Sequence, residues 1–378
     1  MGSSRSDREN SRAPDTPVGV LGPDQAPPPR VVRDQGIDTW RAAALARVVV
    51  YHTLGWAWLT IVFPAMGLMF ALAGSLMARS LDRTGPRAVF GRLRRLLPPL
   101  WVLAVSAVSI MVLCGWRERP ESPLGWMELL WWIVPVRTPP AGGPPWAWAF
   151  TAMLWYLVAY LWLVVLSRPM LTAFRRWPWQ TLGVSLALPV ALHFQVVSIG
   201  GYLVEPLSNV ATYGCCWLLG YAHHDRLLRR LPSKIFAPLV ITLAVVSAGW
   251  SFAIGSRQGD FDINHIPMAN SLWSAAFVAA VLRFNLPIAG LCRIHWFNRL
   301  VHLVNARAVT IYLWHFAMLV AAGHMLNATE RPLPAEQSAA LLAAVIALTA
   351  TITLAVGWVE DIAARRPPRL IPRPRKRP

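Results

Sequence analysis

The sequence predicts an all-α protein, a polytopic transmembrane bundle of about ten membrane-spanning helices with both chain ends in the cytoplasm. Three observations carry that expectation. The 378 residues are 55% hydrophobic and only 14% charged, against roughly 25% charged in soluble domains, and the mean hydropathy is +0.43. Ten apolar runs follow one another from Trp40 onward, each near the ~20 helical residues that a ~30 Å hydrocarbon core requires. The segments between these runs alternate between strongly basic and acidic or cation-poor, the pattern that orients helices in a bilayer.

Residues 1–36 open the chain without an aromatic side chain and with Pro14, Pro17, Pro23 and the run Pro27-Pro28-Pro29. Such a segment cannot bury enough apolar area to offset its ordering entropy, so it reads as a disordered cytoplasmic tail. The transmembrane domain is expected over 37–362, followed by a basic cytoplasmic tail over 363–378. Within the domain the runs lie near 40–60, 62–81, 96–114, 146–166, 181–200, 207–222, 235–255, 267–284, 306–326 and 335–358. An eleventh run, Trp126 to Pro135, is too short to span and reads as an interfacial or re-entrant piece.

Loop charge tests this count independently. With the N-terminus inside, the cytoplasmic loops carry Arg83, Arg87, Arg92, Arg94 and Arg95, then Arg168, Arg175 and Arg176, then Arg226, Arg229, Arg230 and Lys234, then Arg283, Arg293 and Arg299. The tail adds Arg365, Arg366, Arg369, Arg373, Arg375, Lys376 and Arg377. The external segments hold Glu118, Glu121, Glu205, Asp260, Asp262 and Glu330. An odd number of spans would place the basic tail outside, so ten is preferred to eleven.

The net charge of +18 is thereby assigned to membrane topology and to the anionic inner leaflet, with membrane lipids as partners. No nucleic-acid recognition motif accompanies it. The localisation that follows is the inner (plasma) membrane, multi-pass. Cys114, Cys215, Cys216 and Cys292 show no disulfide or zinc spacing and read as small apolar fillers. His223-His224-Asp225 sits in a basic loop without a supporting ligand pair, so no metal is expected.

Ionisable residues inside apolar spans are costly and mark sites. Arg41 lies at the cytoplasmic end of the first span and His52 lies eleven residues on. Eleven residues bring the helix back to within about 20° of the same face, with a rise of about 16 Å. One face thus presents a cation near the inner surface and an imidazole near mid-bilayer. That suits a ligand with an anionic head inside and a reactive group deeper in. Arg47 lies about 240° around the helix from Arg41, and either snorkels inward or faces the bundle interior. In the ninth span Tyr312 and His315, three apart, share a face and fall at a depth like that of His52, so the two histidines either line one cavity or bond neighbouring helices.

These residues form an ordered series. Asp38-x-x-Arg41 followed by His52 resembles the opening signature of acyltransferase family 3, polytopic enzymes that acylate sugars, lipids and macrolides. Phe70-Ala71-Leu72-Ala73-Gly74 is similar to the family's aromatic-small-Gly stretch, although Ala73-Gly74-Ser75 stands where the family usually has Ser-Gly-Phe. Arg92-Leu93-Arg94-Arg95-Leu96-Leu97-Pro98 resembles its basic run entering the third span. Trp155-Tyr156-Leu157, Ile311-Tyr312-Leu313-Trp314-His315 and Trp358-Val359-Glu360 resemble three further elements, though Glu360 is followed by Asp361 and not by the usual Pro a residue later.

The resemblance implies a membrane O-acyltransferase that moves an acyl group, acetyl in the simplest case, from acyl-coenzyme A to a hydroxyl of a carbohydrate, glycolipid or secondary metabolite. It implies His52 as general base and Arg41 as its partner or as a phosphate ligand. Arg94 and Arg95 become a phosphate clamp, and Trp155, Tyr312, His315 and Glu360 substrate-side residues, with Glu360 within reach of an arginine of the second loop. The alternative is a transporter or exporter that uses the same buried groups as a substrate or proton path.

Overall fold

A computed structural model describes Gly2 and residues 35–116, 125–284, 290, 293–329 and 333–372. The Pro-rich stretch up to Asp34, Glu118, Glu121, Glu330, Cys292 and the run Arg373–Arg377 lie outside the described residues. The compact unit begins at Gln35, two residues before the expected boundary.

In chain order the helices are α1 (Gln35–Leu54), α2 (Trp58–Val62), α3 (Ala65–Thr84), α4 (Arg87–Leu113), α5 (Trp126–Ile133), α6 (Leu154–Arg176), α7 (Pro178–His193), α8 (Val204–His224), α9 (Leu227–Arg230), α10 (Ser233–Gln258), α11 (Pro267–Phe284), α12 (His295–Ala306), α13 (Ala308–Met325), α14 (Ala335–Val356) and α15 (Val359–Ala363). No strand occurs among the described residues. The protein is an all-α, polytopic membrane protein. Among the described residues, six helical stretches are long and apolar enough to cross a membrane: Trp58–Thr84, Arg87–Leu113, Pro145–Arg176, Ser233–Gln258, Ala308–Met325 and Ala335–Val356. Four other long helices, α1, α7, α8 and α11, stand where the sequence also has apolar runs. α1 carries Arg41, Arg47 and His52, α8 carries Glu205 and two histidines, and α7 has sixteen residues.

Three element boundaries differ from expectation. The first run is one helix only to Leu54, because Gly55 turns into the left-handed region at φ +68°, a conformation that suits glycine. α4 starts nine residues before its apolar run, since nothing between Arg87 and Leu96 breaks a helix; Arg92, Arg94 and Arg95 therefore stand on a helix and not in a loop. In the fourth run, Pro145–Phe150 is a single 3₁₀ stretch and the α-helix runs from Leu154 to Arg176, which carries Arg168, Arg175 and Arg176 into its last turns.

Consecutive long helices reverse direction, and side chains tie the ends that meet. At one rim, Arg175 on α6 makes paired bonds to Asp82 at the end of α3 (2.8 and 3.0 Å) and to Asp225 just after α8 (3.0 and 2.9 Å). Arg283 at the end of α11 donates to the carbonyls of Leu228 and Leu231 and to Ser233 Oγ. Arg307, entering α13, meets Asp361 in α15 at 2.8 Å. The starts and ends gathered there carry most of the arginines. At the opposite rim Tyr51 of α1 bonds Asp262, Trp273 of α11 bonds the Ile61 carbonyl, and Thr138 bonds Glu205.

α3 and α8 form the tightest seam. A Cβ on Gly74 would collide with the Trp217 carbonyl, and one on Gly220 with the Ala71 carbonyl and the Ser75 amide. Small residues let helix backbones touch where lipid offers no hydrophobic drive for association. Phe70, Tyr156, Tyr160, Tyr213, Trp217 and Tyr312 are buried around this seam, as are Cys215 and Cys216, while Cys114 is exposed at the end of α4. α10 and α14 show their apolar faces outward.

Candidate active site

The centre of the molecule is built by α1 against α13. His52 stands in the last turn of α1, and His315 near the middle of α13, fully buried. Nδ1 of His52 lies 3.1 Å from Nε2 of His315, and Nδ1 of His315 lies 2.7 Å from the Tyr312 carbonyl oxygen. These two distances fix the proton positions. A carbonyl only accepts, so Nδ1 of His315 carries hydrogen and, in the neutral ring, Nε2 is the acceptor. Nδ1 of His52 must then donate to it, which leaves the lone pair of His52 on Nε2. The order is carbonyl, imidazole, imidazole, with the outermost nitrogen basic.

Aromatic rings hold the His52 ring in place. Phe316 meets it edge-on at 5.4 Å, Tyr51 edge-on at 5.0 Å, and Trp148 backs Phe316 at 5.1 Å. Tyr312 contributes its backbone oxygen to the relay. Its side chain packs on Tyr156 at 4.9 Å. Trp155 stacks on Tyr213 at 5.8 Å and meets Tyr156 edge-on; these contacts place it on the wall shared by α6 and α8.

Arg41 shares α1 with His52 and makes no hydrogen bond or ion pair among the described residues; it lies near enough to Tyr156 to act on it electrostatically. Arg94 and Arg95 are exposed on α4. Three cations, Arg92, Arg94 and Arg366, bear on Arg95, with the Tyr160 side chain as the opposing group. Arg366 comes from the segment after α15, folded back by its own amide on the Asp361 carbonyl (2.8 Å) and packed with α15 against α4. No signal in the sequence links positions 95 and 366.

Glu360 corrects one expectation. It pairs with no arginine of the second loop. Its carboxylate accepts from the amide and the hydroxyl of Thr310 (2.8 and 2.6 Å) and so caps the first turn of α13. Burial pushes its pKa up to about 7, against the lowering influence of the Thr310 bonds. The neighbour Asp361 takes the cation instead, Arg307, which is 2% exposed.

Asp82, His224 and Asp225 bring ligand atoms within 4.8 Å of one another. Arg175 already bridges both carboxylates with paired hydrogen bonds. A guanidinium fills the position a metal would take, which suits an inter-helix clamp.

No curated protein and no solved structure matches the chain. A family model does. The acyltransferase domain model of acyltransferase family 3 matches residues 34–358, from the residue preceding α1 to the Trp358 that follows α14, and therefore spans every helix that builds the histidine pair, so the chain belongs to acyltransferase family 3.

Proposed function

We propose that the protein transfers an acyl group from acyl-coenzyme A to an acceptor hydroxyl, with His52 as general base. The observation that supports this reading is the ordered relay from the Tyr312 carbonyl through His315 to His52, which holds the His52 proton on Nδ1 and so makes Nε2 its basic nitrogen. In the reaction, Nε2 takes the hydroxyl proton as the oxygen attacks the thioester carbon. The tetrahedral intermediate collapses with cleavage of the carbon–sulfur bond. The imidazolium returns its proton to the thiolate, which leaves as coenzyme A thiol. During the charged interval the His52 Nδ1–H bond to His315 shortens and supports the imidazolium.

The donor enters from the basic rim. Arg92, Arg94, Arg95 and Arg366 converge without a carboxylate partner acting on Arg95, an arrangement that repels itself until a polyanion neutralises it. The coenzyme's phosphates provide that charge, and Arg41 stands between this rim and the histidines. In the membrane all ten long helices cross, the basic rim faces the cytoplasm and the acceptor arrives from the opposite side.

Purified protein supplied with acetyl-coenzyme A and an acceptor alcohol should release free thiol in step with ester formation. His52→Gln preserves size and hydrogen bonding but cannot take the proton. It should lower turnover by about 10²–10⁴-fold with acetyl-coenzyme A affinity unchanged. Normal turnover in a correctly inserted His52→Gln protein rejects the proposal.

A further inference from the structure

The segment after α15 is not a loose tail. It lies beyond Trp358, where the family match ends, and it is tied to the rim by a specific turn. Arg365 takes a left-handed conformation at φ +55°. Its amide then donates to the Ile362 carbonyl at 2.9 Å, and the Arg366 amide donates to the Asp361 carbonyl at 2.8 Å. These two bonds close the helix and reverse the chain. Pro367-Pro368 stiffens the next step.

Asp361 holds the far end as well. Its carboxylate accepts from the Arg369 amide at 3.3 Å and from Arg307 at 2.8 Å, and Arg307 also donates to the Arg369 carbonyl. Arg307 is 2% exposed. Its stem lies flat on Gly357, where an added Cβ would come within 2.8 Å of the Arg307 Cδ. A buried ion pair is costly to break from either side, so the strap formed by residues 364–369 is held in one place.

What the strap presents is Arg366. Its residues from 365 onward are exposed, as is Arg95. α15 packs against α4, and Arg366 lies within electrostatic range of Arg95, together with Arg92 and Arg94. Among the described residues no carboxylate bonds Arg95 or Arg366. Two guanidiniums from opposite ends of the sequence are thus brought together and left unneutralised, while the buried Arg307 beneath them is spent on Asp361.

We propose that Arg95 and Arg366 form a subsite for a phosphate monoester, and that its ligand is the 3′-phosphate of coenzyme A. The assignment rests on the donor reading above. Charge selects the group. A phosphate monoester carries about two negative charges near neutral pH, which matches two guanidinium forks; each phosphate of the coenzyme's diphosphate bridge carries a single charge. Position agrees with charge. The 3′-phosphate is far from the thioester along the coenzyme, and the strap lies on the exposed side of the rim. Arg41, on the same helix as His52, is left to the diphosphate.

The test is a pair of titrations. Full-length protein in nanodiscs of zwitterionic lipid is titrated by calorimetry with coenzyme A and with dephospho-coenzyme A, which lacks only the 3′-phosphate. Wild type should bind coenzyme A about tenfold or more tightly, as a charge-assisted contact provides. Arg366→Gln should weaken coenzyme A about tenfold and leave dephospho-coenzyme A unchanged. The strap itself is tested at Arg365, which is exposed and outside the subsite. Arg365→Val opposes the left-handed turn and should lose the preference for coenzyme A. Arg365→Gly removes the same charge but favours the turn and should keep it. Equal affinity of wild type for the two ligands, a full preference in Arg366→Gln, or the same preference in the Val and Gly variants overturns the proposal. So does loss of the preference when phosphatidic acid is added to the discs, which gives the two cations to a lipid headgroup. Binding of neither ligand strikes the donor reading and the subsite together. The expected preference without thiol release from acetyl-coenzyme A strikes acyl transfer alone.

Discussion

The α3–α8 seam and the α1–α13 seam are both helix contacts inside the same bundle, yet their chemistry is opposite. Between α3 and α8, Gly74 and Gly220 let backbone meet backbone, and no room remains for a side chain. Between α1 and α13, two imidazoles meet at 3.1 Å, with Arg41 and Arg47 on α1 carrying donors that find few acceptors among the described residues. The first seam is saturated, so it can only hold shape. The second keeps unmet polar capacity in a low-dielectric interior, where each such group is worth most to a ligand and costs most without one. A frame and a working surface are thus distinguishable by what their polar atoms lack.

Substitutions should fall on the two sides of this divide in different ways. The largest effect is expected at His315. His315→Leu removes the acceptor that orients His52, and turnover should drop about a hundredfold, within the range a positioned base supplies, while acetyl-coenzyme A affinity holds. Unchanged turnover would reduce His315 to a packing residue and dissolve the contrast. Gly220→Ala probes the other seam. Overpacking there should cost about 1–3 kcal/mol, seen as a lower thermal midpoint, whereas Gly249→Ala on α10, where a Cβ meets open space, should leave the midpoint unchanged or raise it. Equal midpoints in the two variants would show that the backbone contact is not tight.

The basic rim gives a smaller effect. Arg94→Gln and Arg95→Gln should each raise the acetyl-coenzyme A dissociation constant about tenfold, since a charge-assisted contact contributes roughly 1.5–3 kcal/mol. A change in membrane orientation with normal affinity would assign both to topology. The smallest effect belongs to Glu360. Its native pKa, about 7, lies above the ordinary 4.5, so the folded protein holds a proton that the unfolded chain gives up. The stability it contributes is greatest at acid pH and falls as pH rises from about 4.5 to about 7. In Glu360→Gln that decline should flatten between pH 5 and pH 8. An identical slope in both proteins would place the titration elsewhere.

Much of this arrangement was legible in the sequence. Hydropathy marked the runs where long helices stand, six of them, among the described residues, long and apolar enough to cross a membrane, because bilayer thickness sets the length of a spanning helix and leaves a residue-scale trace. His52 and His315 stood out because a polar group within an apolar run is costly. What failed to show were the partners. Tyr51 and Asp262 are 211 positions apart, and nothing in either local pattern announces the other. The close approach at Gly220 depends on which helix lies opposite, so a glycine there reads like any other small residue. The end of α1 at Gly55 was hidden by the apolar residues that follow, Trp56 to Val62, since hydropathy senses polarity and not φ. The role of Glu360 was misread for a related reason: capping depends on where the chain folds back after α14, whereas a nearby row of arginines suggests a pair.

The relay ends on the backbone oxygen of Tyr312 and not on a carboxylate side chain. That choice has a genetic consequence. In a triad completed by an aspartate, one codon change removes the anchoring group. Here every amino acid that position 312 could encode supplies the same oxygen, so the anchor is inherited with the helix itself. Drift at 312 can reshape the wall that Tyr312 shares with Tyr156 without unhooking His315. The hydrogen-bonded alignment of the base is then exposed to side-chain change at 52 and 315 and to whatever bends α13 near Thr310, while the packing of its ring rests on Tyr51 and Phe316.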